Sequence, residues 1–344
     1  MSERFVVSVP PDTAPPDAPG VADEAEATRA DESRGVTALA DFGALAPYLA
    51  DLGVTDLFVN GTSGLWLDHG AGLVREAGWT SDEATIRALA IRLVARGGRH
   101  VDEATPCVDV RLQDGIRVHV VLPPVSTRGT LLSIRVPRDE ALGFEALQTA
   151  GMFPSTVAEL LREAVATRVN ILVTGAGGSG KTTLLGALLG LAPPAERLVV
   201  IEDVAELRIL HPHVVALQSR QANLEGAGGI DLERLLREAL RMRPDRLVLG
   251  ECRGPEVREL LSALNTGHDG GAGTLHANSL TDVPARLEAL GALAGMSQEA
   301  VARQATSAIG LIIHLARLPA GRQVVAVGRL VLDERDRLAV EELP

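Results

Sequence analysis

The chain contains the stretch Gly175-Ala176-Gly177-Gly178-Ser179-Gly180-Lys181-Thr182, which fits the pattern G-x-x-x-x-G-K-[S/T] of a phosphate-binding loop. The apolar run at 170–174 predicts a buried strand before it, and the run from Thr183 to Leu189 predicts a helix after it. Backbone N–H groups of such a loop surround a phosphate at the helix N-terminus. Because strand, loop and helix follow each other in order, a nucleotide domain is favoured over a chance glycine-rich turn.

Lys181 is the only lysine among the 33 lysine and arginine residues of the chain. A coding bias would explain the scarcity of lysine, but not its retention at this position. A compact ammonium fits between the phosphates, whereas a planar guanidinium is too wide. In this pattern the hydroxyl of Thr182 binds Mg²⁺. We expect the phosphates to be bound by seven residues: Gly175, Gly178, Ser179, Gly180, Lys181, Thr182 and Thr183.

Composition narrows the class of protein. The length of 344 residues predicts about two domains, and the 2% aromatic content predicts cores of leucine, valine, alanine and isoleucine. The net charge of −12 disfavours direct binding of nucleic acid. No apolar run reaches the roughly 18 residues that span a bilayer, and no signal peptide is recognised. These features predict a cytoplasmic protein.

Four segments follow from the pattern along the chain. Residues 1–35 are acidic and proline-rich, which predicts a disordered tail. Residues 36–138 mix helix and strand patterns and predict a small α+β domain, with Asp114-Gly115 as a hairpin turn. Residues 139–150 are interpreted as a linker. In 151–344, strands alternate with helices, which predicts a mostly parallel sheet; the predicted strands are 170–174, 198–202, 214–217, 246–250, 271–275, 310–315 and 323–332.

Two apolar strands end in carboxylates. Glu251 follows Leu247-Val248-Leu249-Gly250, at the edge where an α/β sheet would place a carboxylate beside Mg²⁺. Glu202 follows Val199-Val200-Ile201 and could polarise the attacking water. Each acid alone could equally be a solvated strand end or a helix cap. The upstream phosphate-binding loop favours the functional interpretation.

A glycine-rich segment from Thr266 to Ser279 contains two histidines, His268 and His276. A metal site would need further ligands nearby. Two histidines around four glycines in a nucleotide domain suggest a phosphate sensor. Several arginines near these motifs are interpreted as surface or ion-pair residues: Arg220, Arg241, Arg243 and Arg253.

Taken in order, these motifs resemble those of the secretion traffic ATPases, the motors of type II and type IV secretion and of type IV pili. The tight-adherence (Flp) pilus assembly branch is the best match. The resemblance covers about residues 40–335 and depends on four ordered boxes. These are a Walker A box at Gly175–Thr183, an Asp box at Val200–Leu207, a Walker B box at Leu240–Gly254 and a His box at Asn265–Ser279.

The resemblance implies a RecA-like P-loop NTPase domain that hydrolyses ATP with Mg²⁺. It implies catalytic roles for Glu202, Glu251 and His276, and a Mg²⁺ contact for Thr182 and for Glu251 through water. Arg117 and Arg135 of the first domain match arginines that reach the nucleotide. It further implies a homo-hexamer that is peripheral to the cytoplasmic face of the membrane and works with inner-membrane platform proteins. A type IV secretion or conjugal transfer ATPase and a nucleotide-gated scaffold remain as alternatives.

Overall fold

The computed structural model describes residues 39–70, 72–112, 115–136, 141–220 and 228–343. The chain divides into two compact units, Met1–Pro137 and Arg138–Pro344. The predicted tail at 1–35 and Asp114 of the predicted turn lie outside the described residues. Within those ranges, no helix is long and apolar enough to cross a membrane.

The first unit contains a six-stranded antiparallel sheet in the order β3-β2-β1-β6-β5-β4. Buried residues alternate with more exposed ones along five of these strands, so one face is apolar, whereas all four residues of β3 are at least partly exposed. The helix at Glu83–Arg96 supplies Ile86, Leu89 and Leu93 to the same core. The elements are α1 (Ala46–Leu49), β1 (Asp56–Asn60), β2 (Leu65–Asp68), β3 (Leu73–Glu76), α2 (Glu83–Arg96), β4 (Cys107–Arg111), β5 (Arg117–Val121) and β6 (Leu131–Arg135).

The second unit contains an eight-stranded sheet in the order β14-β13-β12-β7-β11-β10-β8-β9. Strands β12, β7, β11, β10, β8 and β9 are parallel, and β13 and β14 continue the sheet antiparallel. The predicted mostly parallel α/β sheet is confirmed. The strands are β7 (Ile171–Gly175), β8 (Leu198–Glu202), β9 (Val214–Gln218), β10 (Arg246–Cys252), β11 (Ala272–His276), β12 (Leu311–Leu318), β13 (Gly321–Leu332) and β14 (Leu338–Glu342).

Helices cover both faces of this sheet, which explains why β7 and β8 are buried throughout. One core contains α3, α4 and α5, and the other contains α6, α7, α8 and α9. The helices are α3 (Phe144–Thr149), α4 (Ser155–Ala166), α5 (Lys181–Leu189), α6 (Leu232–Ala239), α7 (Val257–Leu264), α8 (Val283–Leu293) and α9 (Gln298–Ala308).

The linker predicted at 139–150 is wrong over half of its length. Residues Phe144–Thr149 form α3, which belongs to the second unit. Phe144 and Leu147 are buried in its core, and the rings of Phe144 and Phe153 lie 4.9 Å apart. One helical turn and a half has too few apolar positions to show a period. Helix α4 and the strands β3 and β14 were also not predicted.

A buried ion network closes the amino-terminal edge of the parallel strands. Arg246, the first residue of β10, is 2% exposed and pairs with Glu196. Its Nη2 donates to the Val165 carbonyl at 2.8 Å. Arg168 donates to Glu196 at 2.9 Å and to the carbonyls of Asp245 and Asp269. Buried charged groups are tolerated in a fold only when they are paired and hydrogen-bonded, and the side chains of this network meet both conditions.

The strand order determines which side chains meet at the opposite, carboxyl-terminal edge. Strand β11 lies between β7, which leads into the phosphate-binding loop, and β10, which ends in acids. The chain runs from β7 to β8, past two intervening strands, and only later returns to fill the gap. Such reversals of direction leave a crevice at the carboxyl ends of the strands, where ligands of open α/β sheets bind.

Candidate functional site

The loop at 175–182 joins β7 to α5 at this edge. Gly175 ends β7 with φ 152°, and a Cβ atom there would lie 2.5 Å from the Leu315 carbonyl oxygen. Gly180 has φ 96° and immediately precedes α5 as its N-cap residue. A side chain would be strained at both positions, so the glycines of the motif are needed to close the loop.

Lys181 begins α5 and turns back over the loop. Its Nζ donates to the carbonyls of Gly175 and Ala176, each at 3.0 Å. Burial lowers the pKa of Lys181, and the negative charge of Glu251 opposes this shift. The ammonium is therefore held at the mouth of the loop with Glu251 close by. An incoming phosphate could replace these two carbonyls as its acceptor.

The Ser179 side chain is buried with 1% of its surface exposed, and its Oγ has no hydrogen-bond partner within the described residues. Buried polar atoms are nearly always paired, so a lone hydroxyl at a loop calls for a ligand. Thr182 and Thr183 lie in the first turn of α5, whose N–H groups have no partner within the helix. These donors, with Lys181, fit an anion such as a phosphate.

Glu202 ends β8 and is 4% exposed. Its Oε1 accepts hydrogen bonds from the main-chain N–H groups of Glu206 at 2.8 Å and Leu207 at 2.9 Å. Its side chain lies against β10, where a Cβ atom at Gly250 would come within 2.5 Å of the Glu202 Cγ. The carboxylate thus holds the following turn, as a cap would, and is also fixed at the carboxyl edge.

Glu251 is half-buried near the end of β10 and pairs with Arg253. The turn after β10 is fixed by Glu256, whose Oε1 accepts from the N–H groups of Arg253 at 2.6 Å and Gly254 at 2.8 Å. Arg253 is thus an ion-pair residue as interpreted from the sequence, but its partner is a candidate Mg²⁺-side acid. Nothing in the motif spacing indicated the role of Glu256.

The two histidines of the glycine-rich segment lie at opposite ends of β11. His276 ends the strand, is exposed, and pairs in register with Gly175. Its Cε1 would be 3.9 Å from a Cβ atom at Gly177, so the ring is beside the loop. His268 instead lies before β11, with Nδ1 3.2 Å from the Ala263 carbonyl. Of the two histidines, His276 is at this edge, and its role as a phosphate sensor stays a prediction.

Arg117 and Arg135 belong to the sheet of the first unit. They are directly opposite each other in the register of β5 and β6, so both side chains extend from the same face. The Arg117 Nε donates to Asp109 at 3.0 Å, and the Arg135 Nε donates to Asp56 at 3.0 Å. Adjacent like charges are thereby offset by two carboxylates. Their contact with the nucleotide stays a prediction from the resemblance.

Two residues of the β12–β13 hairpin reach the loop and were not predicted. The Arg322 Nε donates to the Gly178 carbonyl at 2.9 Å, and its Cδ would lie 3.2 Å from a Cβ atom at Gly180. His314 is 4% exposed and hydrogen-bonds Thr174, the residue before the loop. Neither belongs to a motif, and both contacts join residues about 140 positions apart in the chain.

The sequence of this chain is similar to the sequences of several known proteins. A putative conjugal transfer protein of Mycobacterium tuberculosis is 48% identical over 296 residues, covering 84% of this chain and 84% of its own. Conjugal transfer protein TrbB of Rhizobium radiobacter is 32% identical over 80% of this chain and 83% of its own. A type IV secretion system protein PtlH homolog of Bordetella bronchiseptica is 36% identical over 69% and 76%.

Solved structures share the fold. The pilus retraction motor PilT with bound ADP has a TM-score of 0.57 at 24% identity, over 87% of this chain and 81% of that one. The Legionella pneumophila ATPase DotB has a TM-score of 0.55 at 18% identity, over 87% and 78%. The model of the family described as Type II/IV secretion system protein matches residues 38–338. The chain therefore belongs to the Type II/IV secretion system protein family.

Proposed function

We propose that this protein hydrolyses ATP with Mg²⁺ and that the hydrolysis powers secretion or pilus assembly. The observation that carries the proposal is the buried pair of donors at the loop, Lys181 and the Ser179 hydroxyl, which has no partner in the described part of the chain. They lie on the same edge as strand-end groups from β8, β10 and β11. Phosphoryl transfer needs little beyond positioning and stabilisation of charge, and this edge offers both.

The loop residues would bind the triphosphate. Lys181 would exchange its two loop carbonyls for β- and γ-phosphate oxygens, and the N–H groups of Gly178, Gly180 and Thr183 would surround the β-phosphate. The Thr182 hydroxyl and Glu251, through water, would hold Mg²⁺. When bound, Mg²⁺ neutralises charge on the phosphate oxygens. Arg253, paired with Glu251, would set the position of that carboxylate.

Glu202 is proposed to orient the attacking water. Two main-chain N–H groups and the β10 backbone hold it in place, so little reorganisation would be needed during the reaction. His276, beside Gly177, would contact the γ-phosphate and report its loss. Arg117 and Arg135 would stabilise developing charge when the first domain closes over the nucleotide, and such closure is a plausible working stroke.

The load is proposed from family and relatives. A ring of six copies at the cytoplasmic face of the membrane would act on inner-membrane platform proteins, without touching nucleic acid directly. The tight-adherence pilus is one load. The names of the three relatives, which refer to conjugal transfer and type IV secretion, favour export by a type IV system as the other. Neighbouring genes separate them: prepilin genes for the first, relaxase and coupling genes for the second.

An ATPase assay on the full chain tests the proposed chemistry. Wild type should turn over ATP with Mg²⁺, and Lys181→Ala and Glu202→Gln should each lose about 100-fold or more of kcat. Arg329→Ala, which removes one exposed ion pair with Glu341, is the matched control and should keep full activity. Full activity in Lys181→Ala would refute the proposal. A single-turnover reaction without product would revive the nucleotide-gated scaffold, and mass measurement with ATP would test the ring.

A further inference from the structure

His314 is a buried imidazole of β12 for which the proposed chemistry has no use. It lies directly opposite Thr174 in the parallel register of β12 and β7. The Thr174 Oγ1 is 2.9 Å from the His314 Nδ1, and it lies 3.4 Å from the Ile313 carbonyl. Thr174 is fully buried and is followed by Gly175, where the phosphate-binding loop begins. One nitrogen of the ring is therefore joined to the base of the loop.

The ring is also joined to the far side of β7. It makes a hydrogen bond with the main chain of Asn278, and this bond raises the pKa of the imidazole, as an acceptor that favours the protonated ring does. Asn278 comes two residues after His276, at the end of β11. Because β12 and β11 flank β7 on opposite sides, His314 connects both neighbours of the loop strand through side-chain and main-chain contacts.

Burial favours the neutral form of the ring. Burial lowers the pKa of His314, the ammonium of Lys181 lowers it further, and the Asn278 contact and Asp282 oppose these shifts. A neutral imidazole has one N–H donor and one acceptor nitrogen. The Thr174 Oγ1 lies within hydrogen-bond distance of both the His314 Nδ1 and the Ile313 carbonyl, so it joins the ring to the base of the loop in either tautomer.

A second contact runs parallel to this connection. The Ala277 N–H points at the Gly175 carbonyl, 3.4 Å away, and Lys181 donates to the same oxygen at 3.0 Å. The Ala277 N–H and the Lys181 ammonium therefore share the Gly175 carbonyl oxygen as acceptor. If Lys181 turns from this oxygen to a phosphate, the Ala277 N–H no longer shares it with the ammonium. The segment after His276 thus shares an acceptor with Lys181, and His314 contacts the same segment at Asn278.

We propose that His314 is a positioning residue, which holds the main chain after His276 against the base of the phosphate-binding loop and so places the His276 ring at the γ-phosphate. This inference rests on the proposed ATPase function. It predicts that His314 acts through His276. A histidine that merely fills the core would affect stability, and its loss would lower activity to the same degree whether or not His276 is present.

A double-mutant cycle separates the two roles. His314→Phe fills a similar volume but removes both hydrogen bonds, and it should lower kcat about 10- to 100-fold, as displaced catalytic groups do. The Kd for MgATP, measured separately, should change less than about threefold because the loop donors remain. In a His276→Ala background, adding His314→Phe should lower kcat by less than about threefold, because residues that act in series are not additive.

Thr174→Val provides a second route if His314→Phe does not fold. It keeps the shape of Thr174, removes only the hydroxyl, and should show the same dependence on His276. An equal loss of kcat with and without His276 would overturn the inference, as would an unchanged kcat in both single variants. If wild type itself shows no turnover, the proposed ATPase function fails instead, and the first arm of the cycle reveals this.

Discussion

The two edges of the parallel sheet use charge in opposite ways. At the amino-terminal edge, Arg246 and Arg168 share Glu196 and bind main-chain carbonyls in a fixed, buried network. At the carboxyl-terminal edge, Lys181 rests on two loop carbonyls, and the Ser179 hydroxyl has no partner within the described residues. The first arrangement is complete without a ligand. An anion bound there would complete the second.

This difference between the two edges predicts which substitutions should change stability and which should change activity. Removing one member of a paired buried network leaves uncompensated charge, which is strongly destabilising. Removing a group whose role is to bind a ligand changes the free energy of unfolding little, and can even raise it. The same sheet should therefore give variants that unfold but would work if folded, and variants that fold but do not work.

The largest expected effect is on the carboxyl edge. Lys181→Met should lower kcat by about 100- to 1000-fold, because a transition-state donor is lost. Its melting temperature should equal or exceed that of wild type, since a buried ammonium is removed from the loop. Turnover and thermal unfolding measured on the same preparation check both statements. A large drop in the melting temperature of Lys181→Met would contradict the proposed difference between the two edges.

At the amino edge, Arg246→Met should lower the free energy of unfolding by about 3–5 kcal/mol, because Glu196 and the Val165 carbonyl lose a partner. Denaturant titration measures this. The control is Arg329→Met in the exposed pair with Glu341, where about 0–1 kcal/mol is expected. Equal losses in both variants would show that the buried network contributes no more than a surface ion pair.

His314 should contribute to the change of stability with pH. Its pKa is lowered on folding from the ordinary value of 6.5, so the unfolded chain binds the proton more tightly. Stability is therefore unaffected well above pH 6.5 and is lost as the pH falls below it. Between pH 7.5 and pH 5.5, wild type should lose more melting temperature than His314→Gln. The charged neighbours Lys181 and Asp282 are present in both proteins, so an identical loss would contradict the assignment.

The smallest effect is expected at Arg322, which binds the loop from outside through the Gly178 carbonyl. Arg322→Ala should weaken MgATP binding by about fivefold, the equivalent of one modest hydrogen bond. Titration with a fluorescent ATP analogue gives the Kd. An unchanged Kd would mean that the hairpin does not help to hold the loop in its binding conformation.

Long buried features were predictable from the sequence, and contacts between distant segments were not. Strands β7, β8 and β10 are buried along nearly their whole length because helices cover both faces, so their positions were predicted within about two residues. The loop followed from its glycine spacing, which reflects backbone geometry. Helix α3 was not predicted because six residues are too few to show the helical spacing of apolar positions.

The site itself was predictable only where a residue belongs to a motif. Glu202 and Glu251 follow apolar strands, and strand order brings them to one edge. His314 lies in β12 and Arg322 at the start of β13, where nothing distinguishes them from neighbouring residues until the pairing of these strands in the sheet is known. His268 lies in the same glycine-rich segment as His276, but β11 separates the two, so only His276 reaches the carboxyl-terminal edge.

The most direct measurement uses the fact that the sequence has one lysine. Amine-reactive labelling, followed by mass spectrometry, reports on Lys181 alone, with the α-amino group of the same chain as the internal reference. If Lys181 moves from its loop carbonyls to the phosphates, MgATP should protect it strongly while the α-amino group is labelled as before. Equal labelling of Lys181 with and without saturating MgATP would contradict the central claim that this loop binds the nucleotide.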